Sequence, residues 1–131
     1  DINDANIDTL AKQYNTNIEV YTYAEFLNGR LIFSQREIEG NNESVHSLFE
    51  TQGNLVVSAI KKAEENDGYI IRLFNGKDHK NVSDNIKFNF DIHEAYYTNL
   101  KEEKTEPIKI ENNTISVKEL SHCKFVTIWV K

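Results

Sequence analysis

The apolar residues of this chain keep two different periods. Ile7, Leu10, Ala11 and Tyr14 fall at i, i+3, i+4 and i+7, the stripe of an amphipathic helix over about residues 4–14, with Asn3 or Asp4 as N-cap and Asn15-Thr16-Asn17 as its stop. So short a helix cannot bury its stripe alone, and it needs strands or a preceding domain to dock on. From residue 18 onward the period is two. Ile18, Val20 and Thr22 oppose Glu19, Tyr21 and Tyr23; Asn28-Gly29 predicts a turn, and Leu31-Ile32-Phe33 a further strand. Residues 37–44, polar around Gly40-Asn41-Asn42, read as a loop before Val45–Glu50.

Two apolar, β-branched runs between Leu55 and Asn75 flank an acidic turn ending in Asp67-Gly68, which predicts a β-hairpin. Both runs are apolar on each face, Leu55 and Val57 against Val56 and Ile60, Ile71 and Leu73 against Ile70 and Phe74, as in strands covered on two sides. Farther on, Ile86, Phe88, Phe90 and Ile92 alternate with Asn85, Lys87, Asn89 and Asp91, so one face there is wet. Ala95–Leu100 is a strand, and Lys101–Glu106 a charged connection closed by the only proline, Pro107. Ile108-Lys109-Ile110 pairs with Ile115-Ser116-Val117 across Asn112-Asn113, and the apolar run Phe125–Val130 predicts a central strand.

Roughly eight to ten short strands after one helix favour two packed antiparallel sheets. The expected class is mainly β, an antiparallel β-sandwich with one short N-terminal helix, residues 1–131 forming a single domain. A closed barrel is the alternative that the pattern leaves open.

Composition narrows the partners. A net charge of −6, with basic residues interspersed among acids, argues against a nucleic-acid surface, and no apolar run approaches the roughly 20 residues that span a bilayer. The single cysteine, Cys123, cannot form an internal disulfide; its place before an apolar run predicts a buried thiol in a reducing, cytoplasmic setting. A start at Asp1, no methionine and no basic-then-apolar leader make the chain read as a fragment of a longer polypeptide.

Catalytic constellations do not emerge. His46, His79, His93 and His122 lack the His-x-His or His-Glu-x-x-His spacing that converges on zinc, and they read as surface histidines. With 21 acids, some carboxylate pair meets glycosidase spacing by chance, and Glu64, Glu65 and Asp67 read as a solvated turn. Lys124 beside Cys123 could activate the thiol, but burial would make it inert. No Gly-rich phosphate loop follows a strand. The sequons at Asn42, Asn81 and Asn112 read as coincidence in an Asn-rich chain. Tyr21, Tyr23, Tyr96, Tyr97 and Trp129 could stack on sugar rings, although core or rim positions are their commoner use in a sandwich. Arg72, inside Ile70–Phe74, must meet a carboxylate, a carbonyl or a ligand if buried. An ion pair with Glu64 or Glu65 of the same hairpin is the simpler reading.

At this hairpin the sequence resembles the C-terminal β-domain of α-mannosidases of glycoside hydrolase family 38. The match runs through Val57–Glu64 and Asp67–Asn75, which look like the family's pattern Ser-Ala-Leu-Lys-x-Ala-Glu, Asp-Gly, apolar, Arg, apolar, aromatic, Asn. Leu10–Thr16 is similar to the entry into that domain and Leu120–Val130 to its last strand. Ser121-His122-Cys123-Lys124-Phe125 departs from the Pro-Phe/Tyr-Glu-Ile-Lys type common there.

The resemblance implies a non-catalytic domain that supports an upstream catalytic domain. That domain would hold zinc, nucleophile and general acid, and would cleave terminal α-mannosides of mannose-containing oligosaccharides with retention. No position of this chain matches the catalytic or zinc-binding motifs, so the chain alone is expected to be inactive. Arg72 and Glu64 are its candidates for a substrate-rim or domain-interface role. Two other readings stand beside this one: a carbohydrate-binding sandwich with a tyrosine platform, and a structural domain that self-associates into homo-oligomers.

Overall fold

A computed structural model describes Ala5 and residues 7–17, 25–27, 30–32 and 47–131. The sequence-predicted strand at Ile18–Tyr23, the loop at 37–44, the N-cap residues, Asn42 and His46 lie outside these.

Helix α1 (Ile7–Asn15) stops where its sequence turns polar: Asn15 Nδ2 donates to the Ala11 carbonyl and Thr16 Oγ1 to that of Lys12, both at 2.8 Å. Its apolar stripe stays exposed at Ile7, Leu10 and Tyr14 rather than docked on the described strands, the first of the two dockings expected from the pattern. Strands β1 (Glu25–Leu27) and β2 (Arg30–Ile32) pair antiparallel with Leu27 opposite Arg30, the register a turn at Asn28-Gly29 predicts.

Among the described residues the sandwich itself is built from nine strands. One sheet has the order β3-β6-β10-β9, from Phe49–Thr51, Val82–Phe88, Thr114–Leu120 and Ile110–Glu111. The other has the order β4-β5-β11-β7-β8, from Val56–Lys62, Tyr69–Phe74, Phe125–Val130, Ala95–Thr98 and Lys104–Pro107. All pairings are antiparallel. The core lies between the sheets: Ile71, Leu73, Tyr97, Val126, Ile128 and Val130 face Ile86, Phe88, Ile115 and Val117. This is the predicted sandwich rather than a barrel.

Strand β11 is central and buried from Val126 to Val130, as its continuous apolar run requires. The alternation around Ile86 also holds, and Asn112 and Asn113 both take positive φ (50° and 57°), the geometry of a two-residue I′ hairpin loop between β9 and β10. The expected connection at 101–106 is partly strand: β8 is a short edge, where Pro107 costs no interior hydrogen bond.

The hairpin is only half as covered as its sequence suggests. β5 buries Ile70 on one face and Ile71 and Leu73 on the other, but β4 is the sheet edge and is exposed from Ser58 to Lys62. A bulge at Ser58 and the pair Lys61-Lys62 keep this edge from templating another strand.

The chain crosses between the sheets after β3, β5, β6, β8 and β10, and two buried polar side chains fasten three of these crossings. Asn75 donates from Nδ2 to the carbonyls of Lys80 and Leu120 and accepts from Lys77 N, joining the β5–β6 connection to the end of β10. Asp84 accepts from the backbone N–H of Gln52, Asn54, Leu55 and Asn85, at 2.8–2.9 Å, and so holds the β3–β4 crossing.

Candidate functional site

The outer face of the five-stranded sheet gathers three of the residues singled out by sequence, Arg72, Tyr96 and Trp129. Register places Lys61, Ile70, Trp129, Tyr96 and Pro107 in one row and Ala59, Arg72, Thr127, Thr98 and Lys104 in the next; the Phe74–Phe125 pair lies beyond them. Alternation along each strand gives all of them the same face.

In the first row the sheet covers itself. Ile70, Ala63 and Trp129 form a small second core with Tyr96 against it. The Lys104 ammonium sits 3.4 Å from the Trp129 ring centroid and 4.6 Å from that of Tyr96, held from the side by Glu94. Trp129 is 2% exposed and its Nε1 has no hydrogen-bond partner. Tyr97 is buried and accepts Lys118 N at its hydroxyl. Neither ring offers a free stacking face, and Tyr96 shares its face with Lys104; Tyr21 and Tyr23 lie outside the described residues.

Arg72 is half-buried, and its Nε donates to Thr127 Oγ1 at 3.3 Å. The expected ion pair with Glu64 or Glu65 is not what forms. Glu64 accepts from Lys61 Nζ, because the two sit at i and i+3 across the end of β4, on the exposed side of the hairpin. Its backbone N–H donates to Glu102, which itself pairs with Lys61. Sequence reading passed over Glu102 and Lys104 as members of a charged connection; only the β7–β8 turn brings them onto this face.

Lys61 and Glu102 shift each other. Glu102 is held below its ordinary 4.5 chiefly by the hydrogen bond from Lys61, then by Glu64 N, with Arg72 adding a weak Coulombic pull; Lys61 is raised above 10.5 by Glu102 and then Glu64. A carboxylate with a lowered pKa in the fold stabilises above its unfolded value and loses that contribution as pH falls. The lysine's contribution is present below 10.5 and disappears as pH rises past its raised value. Glu102→Gln is therefore expected to flatten the acid limb of the stability profile below about pH 4.5, as read by thermal melts across pH. An unchanged limb would show that the pair contributes nothing.

Elsewhere the side chains are structural. Cys123, expected to be buried, is exposed in the turn before β11 at φ 57°, its Sγ 3.1 Å from His122 Nε2. Burial starts only at Val126, after the turn has placed Cys123 outside the sandwich. His122 Nδ1 lies 2.8 Å from the Lys77 carbonyl, and its ring centroid is 5.6 Å from that of His79. Among the described residues no group of three or more His, Cys, Asp or Glu side chains could hold a metal ion, and no helix is long and apolar enough to cross a membrane.

A comparison with protein-family models matched residues 54–127, more than half the chain, to the glycosyl hydrolases family 38 C-terminal beta sandwich domain. No curated protein and no solved structure gave a match.

Proposed function

Because the chain belongs to the family of glycosyl hydrolases family 38 C-terminal beta sandwich domains, we propose that it is the non-catalytic β-domain of a retaining glycoside hydrolase acting on terminal α-mannosides. In this reading it supports an upstream zinc-dependent catalytic domain that takes mannose-containing oligosaccharides, in the cytoplasm.

The observation that carries the reading is the extent of the family match. It runs from Asn54 to Thr127, through both sheets and the hairpin. The residues of that hairpin most particular to the pattern also have physical work in this fold: Gly68 lies against Trp129, and Asn75 fastens two crossings. The described side chains do not fit a zinc site. In this reading metal, nucleophile and general acid belong to the catalytic domain, and no step of hydrolysis is routed through this chain. Arg72 and Glu64 are left with positioning roles, at the domain interface or the substrate rim.

Hydrolysis of an aryl α-mannoside tests this directly. The 131-residue chain is expected to release no phenol, whereas the polypeptide joining it to its catalytic domain is expected to do so and to give α-mannose as first product by NMR. Activity of the chain alone, or an inactive joined polypeptide, would overturn the assignment.

A further inference from the structure

We infer that the outer face of the five-stranded sheet at Arg72, Thr98, Phe74 and Phe125 is the surface on which the catalytic domain docks, and that the partner presents a carboxylate to Arg72 beside an apolar group. This rests on the reading above of the chain as a supporting domain.

The two halves of this face differ. Around Ile70 and Trp129 the chain supplies its own cover through Lys104 and the hairpin loop. Around Arg72 it does not. A guanidinium carries five N–H donors, and among the described residues Arg72 uses one hydrogen bond, to Thr127. The acid that feels its charge, Glu102, is engaged by Lys61. Two strands along the same row, beyond Thr127, Thr98 Oγ1 is buried without a hydrogen-bond partner. On the other side Phe125 is 56% exposed, its ring tilted against Phe74 at a centroid distance of 4.7 Å.

A half-buried cation lacking a carboxylate, an orphaned hydroxyl and an exposed aromatic pair together resemble the centre of a protein interface, where Arg and aromatics are enriched and supply most of the binding energy. Charge complementarity asks for an anion, and guanidinium geometry favours a carboxylate held through two parallel hydrogen bonds. A sugar fits less well: two Phe rings carry no polar tip, and the site has few groups to meet many hydroxyls. The groove of about 330 Å³ between β3 and β4, lined by Leu48, Phe49, Ile60 and Tyr69 among others, is almost wholly apolar and holds no charged group to specify a partner.

The test compares Phe125→Asp and Arg72→Glu with the groove variant Ile60→Asp. In the 131-residue chain both face variants are expected to melt within a few degrees of wild type, since Phe125 is exposed and Arg72 half-buried. In the polypeptide joined to its catalytic domain they are expected to split a single melting transition in two and to speed trypsin cleavage between the domains about tenfold or more, the signature of a lost hot spot. Wild-type behaviour of both, or splitting by Ile60→Asp instead, overturns the proposal. So does mannose shifting the Thr98 and Thr127 resonances of the 131-residue chain in a manner that Arg72→Glu abolishes, which would make this a sugar site. Melting and cleavage are read without substrate, so an inactive joined polypeptide would end the mannosidase reading while leaving the docking result legible.

Discussion

Asp84→Ala is expected to destabilise the protein by about 3–4 kcal/mol, the larger end of single-residue effects. The carboxylate is 2% exposed and accepts four backbone N–H groups, three of them from the β3–β4 crossing. Hydrogen bonds to a charged acceptor contribute roughly 1.5–3 kcal/mol each, and a buried donor left without an acceptor costs about 1–3 kcal/mol. The sum is discounted because Gln52 and Asn54 lie near the surface, where water can replace the acceptor, whereas Leu55 N cannot be reached so easily. Asp84→Asn keeps the volume but turns an NH₂ toward N–H groups, so it is expected to lose at least half as much. Urea titration should show a lower midpoint with an unchanged slope, and exchange of the Leu55 amide should accelerate most. A loss below about 1 kcal/mol would mean that the crossing holds without its carboxylate.

The functional side of this prediction lies in what the crossing places. Leu55 enters the core and Val56 begins β4, so the loop at 52–55 sets the register of the hairpin that carries Arg72. If Asp84 is the latch, its loss should loosen the proposed docking face without touching any residue on it. That separates it from Arg72→Glu, which is expected to leave the fold intact.

Local chemistry was legible in the sequence, and long-range order was not. The alternation at Ile86 and Phe88, the I′ loop at Asn112-Asn113 and the buried run of β11 each follow from neighbouring residues, and each stands as read. Edge and centre cannot be told apart in this way: β4 and β5 carry similar apolar runs, yet strand order leaves β4 with a single neighbour and an exposed outer half. Asp84 shares the parity of Ile86 and Phe88, so a polar residue in phase with a core face was the available sign of a buried carboxylate. For Arg72 the sequence suggested a carboxylate within the hairpin, and no such pair forms. The register instead sets it opposite Thr127, 55 residues away.

Gly68→Ala is expected to cost about 3–5 kcal/mol, combining backbone strain of about 1–3 kcal/mol with overpacking of similar size. Gly68 has φ 148°, where side chains rarely go, and a Cβ there would lie 2.6 Å from the Val130 carbonyl oxygen and 2.7 Å from Trp129 Cε2 and Nε1. Neither neighbour yields easily. Val130 is fixed in β11 between β5 and β7, and the indole is clamped against Ile70 beneath Lys104. Gly53 supplies the control, since its φ is also positive (79°) but a Cβ would meet nothing within 4 Å. Gly53→Ala should therefore show the strain alone, about 1 kcal/mol, and the difference between the two variants measures the contact. Trp129 is the only tryptophan, so its fluorescence reports the same event: Gly68→Ala should shift emission to the red in the folded state, while Gly53→Ala leaves it unchanged. Equal costs at the two glycines, with no spectral shift, would show that Asp67-Gly68 serves turn geometry only. An added cost at Gly68 would instead tie the hairpin's acidic turn to the self-covered half of the outer face, and so to the boundary of the proposed docking surface.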